Sequence, residues 1–101
     1  DVGQIADLSA RQLARERWAS MSCLSGIGAD LSGFIESARE ADNIIIDGCP
    51  VACGKKIFEK TNLPYTEFVL TQYGLVKGST PAESEVVERM SEAVKASRPL
   101  K

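Results

Sequence analysis

The chain contains no histidine. That removes Ser-His-Asp triads, Cys-His dyads and every zinc site built on imidazole. Any metal must then be held by sulfur or oxygen. No apolar run approaches the roughly 18 residues that a membrane span needs. There is no excess of positive charge: Lys and Arg number 12 against 14 Asp and Glu, for a net charge of −2. A general nucleic-acid binder would carry a basic surface, so neither a nucleic-acid partner nor a membrane is expected. The opening residues, DVGQIADLS, show no basic stretch followed by an apolar one. A secretory leader is therefore not expected, and a cytoplasmic location is. Repeats and low-complexity stretches are lacking too.

What remains is an ordinary globular composition, 44% apolar and 26% charged over 101 residues. One domain spanning 1–101 is expected. Residues 3–17 read as a helix, with Ile5, Ala6, Leu8, Leu13 and Ala14 apolar among good helix formers. Residues 19–24 are a strand candidate of weak β-propensity. A helix is expected over 29–41, with Leu31, Phe34, Ile35 and Ala38 on one face. Asn43–Asp47 is the clearest strand. Its three consecutive isoleucines suit a strand covered on both faces, as in a parallel sheet between helices. Gly48 ends it, and Pro50 is placed to start a helix running to 61 with Val51, Ile57 and Phe58 inward. Residues 66–71 are the third strand.

The last helix carries a capping-box signature, Thr80-Pro-Ala-Glu83, ahead of a stripe formed by Val86, Val87, Met90 and Val94. The tail from Ser97 to Lys101 is expected to fray. Strands alternating with helices give an α/β class: a small layered domain with a parallel sheet flanked by helices, Rossmann-like or flavodoxin-like. Such a plan ordinarily starts on a strand, so an N-terminal strand is expected to be missing.

Ligands of open α/β sheets bind beyond the carboxyl ends of the strands. That rule makes the three cysteines the candidate site. Cys23 ends the first expected strand, Cys49 follows the second by two residues, and Cys53 lies one helical turn further on. A helix N-terminus favours thiolate over thiol, and thiolate is both metal ligand and nucleophile. Lys55 and Lys56 add positive charge nearby. Free cysteines are also common as small buried apolar residues, the plainer reading. Asp47 is a supporting ligand or acid, or simply caps the adjacent turn. Gly26 and Gly28 would let backbone N–H groups approach an anion, or are plain turn glycines. Tyr73 and Lys77 read as solvated residues of the third rim loop.

The run Ile46-Asp47-Gly48-Cys49-Pro-Val-Ala-Cys53, with Lys55-Lys56 and Glu59 after it, resembles the DGC-domain family. So do Arg15-Glu16, Met21-Ser-Cys23-Leu24-Ser-Gly-Ile-Gly-Ala29 and Leu70-Thr71-Gln-Tyr-Gly74 with Lys77. The likeness covers roughly residues 3–78. In that family four cysteines are thought to bind zinc. The resemblance implies that Cys23, Cys49 and Cys53 are three of them. The fourth belongs to a segment before the position of Asp1 and has no counterpart here. A zinc site held by sulfur is thus the leading expectation, with an Fe–S centre as an alternative cofactor. The rivals are a thiol-based redox or sulfur-transfer enzyme using Cys49 or Cys53, and an interaction module with buried cysteines.

Overall fold

The computed structural model describes residues 1–97. Of the tail expected to fray, Ser97 still belongs to the last helix and residues 98–101 lie outside the described residues. Among the described residues five α-helices and a two-stranded parallel sheet follow one another: α1 (Val2–Arg15), α2 (Leu24–Gly28), α3 (Ser32–Glu40), β1 (Ile44–Asp47), α4 (Cys53–Lys60), β2 (Thr66–Val69) and α5 (Ser84–Ser97). A 3-10 turn, Leu70–Tyr73, follows β2 directly. The α/β class with a parallel sheet between helices is therefore present. Among the described residues no helix is long and apolar enough to cross a membrane.

The strands pair in parallel, with Ile44 opposite Thr66 and Asp47 opposite Val69. The isoleucine run explains why β1 sits between two layers. Ile44 and Ile46 pack on one side against a core of Ile5, Leu13, Phe68, Leu70, Met90 and Val94 from α1, β2 and α5. Ile45, pointing the other way, joins Ile27, Ala38, Phe58 and Leu63 from the α2, α3 and α4 side. Burying an isoleucine or phenylalanine in such a core stabilises by about 1.5–3 kcal/mol. The stripe on α5 is as expected, with Val87, Met90 and Val94 buried and Val86 packed at the edge.

Four expectations are corrected. The strand over 19–24 does not form. Residues 20–23 are irregular and Leu24 already starts α2. Ser and Cys offer side-chain acceptors that favour capping over pairing, and Cys23 is in fact the N-cap of α2. The helix expected from Pro50 begins at Cys53 instead. Pro50 occupies the second position of a turn closed by the Ala52 N–H on the Cys49 carbonyl (3.1 Å). Ala52 has φ 55° and ψ 52°, a left-handed conformation that interrupts helical geometry. Val51 is exposed as a result.

The capping box does not act either. The Thr80 hydroxyl accepts the Val76 N–H (2.8 Å), and α5 starts only at Ser84. Finally, α3 is shorter than expected, and Leu31 and Phe34 on its supposed inner face are exposed.

The edge of β1 away from β2 is paired with no strand among the described residues. A groove of about 1270 Å³ runs along it, walled by Ala6, Ala10 and Leu13 of α1 and by Ile27, Ala38 and Phe58 of the opposite layer.

Candidate functional site

The carboxyl end of β1 is organised by Asp47. Its side chain is nearly buried, and its two oxygens accept the N–H groups of Gly54 (2.9 Å) and Lys55 (3.1 Å). These are N-terminal donors of α4 that have no acceptor within the helix. The carboxylate thus ties the strand end to the next helix, and capping is its observed role. Gly54 makes this approach feasible. A Cβ there would lie 2.8 Å from Ile45 Cγ2 and 2.9 Å from Asp47 Oδ1. Gly48 serves a second close approach. A Cβ on it would come within 2.8 Å of the Val2 carbonyl, so the first turn of α1 rests on the strand end.

These contacts place the N-terminal ends of α1 and α4 around one cavity of about 340 Å³. Asp1, Val2 and Gly3 form one wall, and Asp47, Gly48, Cys49, Ala52 and Cys53 form the other. Lys77 closes the third side. Cys49 is half-buried on the turn and Cys53 is exposed at the first position of α4; both are free thiols. Two of the three expected cysteines are therefore brought to one cavity at the sheet's carboxyl rim. The turn explains how: the left-handed Ala52 redirects the chain so that α4 starts at Cys53, one residue after the turn closes.

Cys23 is elsewhere. It does not line this cavity. Its sulfur accepts the Gly26 N–H (3.3 Å) at the start of α2, and its side chain is exposed. Gly26 and Gly28 lie inside α2 rather than in a turn before a long helix. At Gly26 a Cβ would sit 2.5 Å from the Phe34 ring, so its small size serves packing of α2 on α3. Among the described residues no three Cys, Asp or Glu side chains are gathered closely enough to hold a metal ion. The cavity therefore offers two soft donors, while the Asp47 oxygens each already accept a backbone hydrogen bond.

Lys55 and Lys56 do not line the cavity, and Tyr73 stacks on Phe68, with ring centroids 4.0 Å apart. Lys77 looks like a plain solvated residue in the sequence, and Asp1, Val2 and Gly3 carry no signal there of a place in the cavity wall. A loop lysine and a helix start far away in sequence give no periodic signal. Only Gly48, a residue that admits backbone at contact distance, hinted at a neighbour.

A family model described as the DGC domain matches residues 1–94. A curated protein, the anaerobic and virulence modulator AnvM of Pseudomonas aeruginosa, is 33% identical over 93 residues, which is 89% of this chain and 71% of that protein. No solved structure matches the chain.

Proposed function

Because the chain belongs to the DGC-domain family, we propose that it is a zinc-binding protein whose site is the cavity at the carboxyl rim of the sheet. The observation that supports this reading is the convergence of Cys49 and Cys53 on that one cavity. Sulfur donors select soft or borderline ions such as zinc over magnesium or calcium. Cys23 is the third donor in this reading. Its sulfur accepts the Gly26 N–H and its carbonyl the Ile27 N–H, and the segment before it has no regular structure. Moving it toward the cavity breaks the weak sulfur cap and the first backbone hydrogen bond of α2, while its exposed side chain gives up little packing. A cytoplasmic location goes with this reading, because thiols persist as ligands in a reducing compartment.

Titration of reduced, metal-free protein with zinc against a chromophoric chelator tests it. Cys49→Ser and Cys53→Ser should each weaken zinc binding by about tenfold or more, since changing even an outer-shell partner costs 10–100-fold. A serine hydroxyl stays protonated near neutral pH and is a poor zinc ligand. Equal uptake by parent and both variants would remove the assignment.

A further inference from the structure

Cys49 and Cys53 share a second property besides facing one cavity. Cys49 opens a closed turn, and Cys53 is the first residue after it. The Cys49 carbonyl accepts the Ala52 N–H, Ala52 reverses the chain in a left-handed conformation, and Cys53 follows immediately. Cys53 is exposed, Cys49 is half-buried, and neither is paired. Cys23 does not line that cavity, and its sulfur accepts the Gly26 N–H. Each cavity thiol therefore shares its cavity with the other and with no third cysteine.

We propose that Cys49 and Cys53 form a reversible intrachain disulfide with low-molecular-weight disulfides such as oxidised glutathione, and that this bond switches the metal site off. The inference rests on the zinc-binding reading only for its consequence; the thiol chemistry stands without it. Exposure assigns the order of events. The Cys53 thiolate attacks one sulfur of the small disulfide, whose S–S bond breaks, and the departing thiolate takes up a proton. A mixed disulfide now sits on Cys53. The Cys49 thiolate attacks the Cys53 sulfur, the mixed bond breaks, and the second small thiolate leaves and is protonated. Two protein thiols have lost two electrons, and one small disulfide has been reduced to two thiols.

The loop so closed spans only five residues, 49 to 53. A short loop removes little chain entropy from the unfolded state, so the bond is a weak staple. Exposed or strained disulfides are the readily reduced ones, which suits a switch rather than a structural link. The exposed Val51 at the tip of the turn leaves room for it to adjust. Oxidation would consume both cavity sulfurs, and a disulfide is not a thiolate donor to zinc.

The test exposes the reduced, metal-free 101-residue chain to a series of glutathione redox buffers, read by intact mass, thiol count and peptide mapping. Free thiols should fall from three to one, with Cys23 left free and a monomeric chain joined at Cys49 and Cys53. Dithiothreitol should restore all of them. Cys49→Ser should stop at glutathione on Cys53. A mixed disulfide that persists in the parent, a bond to Cys23 or a linked dimer would overturn the proposal. Zinc uptake is then measured on both forms. If the disulfide forms but the reduced protein takes up no zinc, the metal reading fails and the thiol pair stands. If zinc binds and no disulfide forms, the switch alone fails.

Discussion

The Asp47 carboxylate is held at hydrogen-bond distance, 2.9 Å, from the backbone nitrogen of Gly54, seven residues further along the chain. This one contact joins the end of β1 to the start of α4 and sets where the two cysteines between them lie. Asp47→Asn keeps the shape but replaces a charge-assisted acceptor pair by one carbonyl and one donor, leaving a helix N–H without its partner. The expected loss is about 1–3 kcal/mol of stability by denaturant unfolding. Gly54→Ala should cost as much or more, because its methyl meets both Asp47 and Ile45. An Asp47→Asn protein as stable as the parent would show that the cap carries no weight.

How far this was readable from sequence varies with the kind of signal. The isoleucines of β1 are legible because burial on both faces makes an unbroken apolar run, and the Val87, Met90 and Val94 stripe because burial on one helix face imposes a period. The start of α4 was not. Pro50 fits a helix start and a turn equally well, and only the left-handed Ala52, a conformation alanine seldom adopts, decides for the turn. Thr80 failed for a related reason: its hydroxyl can cap a helix or close a loop on Val76, and tertiary context chose the loop. The position of Cys23 was inferred from a strand that does not form, so its placement at the same rim as Cys49 does not appear in the structure. Asp47 is legible as a polar group at a strand end, but ligand and cap are indistinguishable without the N–H groups it meets.

Gly48→Ala tests the docking of α1 on the strand end. The added methyl would lie 2.8–2.9 Å from the Val2 carbonyl and the Gly3 nitrogen, backbone atoms that cannot rotate away. The first turn of α1 must shift, at a cost of about 1–3 kcal/mol. Faster hydrogen exchange should appear in the first turns of α1 and at Asp47. If exchange there is unchanged, the first turn of α1 does not depend on Gly48.

Ala52→Gly should move stability the other way. A left-handed alanine costs about 1–2 kcal/mol relative to the right-handed helix, and glycine adopts that conformation freely. The greater freedom of glycine in the unfolded chain offsets part of this, so the net gain is about 0.5–1 kcal/mol in denaturant. A loss of stability would mean that Ala52 is not strained in solution.

The ion pair between Lys95 of α5 and Glu16 after α1 gives a pH signature. Glu92 adds a second partner at 2.8 Å. The Lys95 hydrogen bond holds the Glu16 carboxyl below its usual 4.5. Glu16, with Glu92, holds the Lys95 ammonium above its usual 10.5. The Glu16 contribution is therefore present above 4.5 and lost as pH falls through its lowered value. That of Lys95 is present below 10.5 and lost as pH rises through its raised value. Both groups are solvent-screened, so the effect is small and shrinks with salt. In urea midpoints against pH, Lys95→Met should flatten part of the acid limb; superimposable profiles would assign the pair no role.

Cys23→Ser separates the third proposed ligand from the two at the cavity. Serine is a strong N-cap, so it can take over the Gly26 N–H and leave α2 and overall stability within about 0.5 kcal/mol of the parent. Any change in metal behaviour then reports ligation rather than folding. Cobalt is the useful probe, because thiolate-to-cobalt charge transfer grows with the number of bound sulfurs. The parent should show a stronger band and tighter binding than Cys23→Ser, and Cys23→Ser should still bind more tightly than Cys49→Ser or Cys53→Ser. If Cys23→Ser matches the parent in both band intensity and affinity, Cys23 stays at α2 as a cap. The metal is then held by the cavity pair alone.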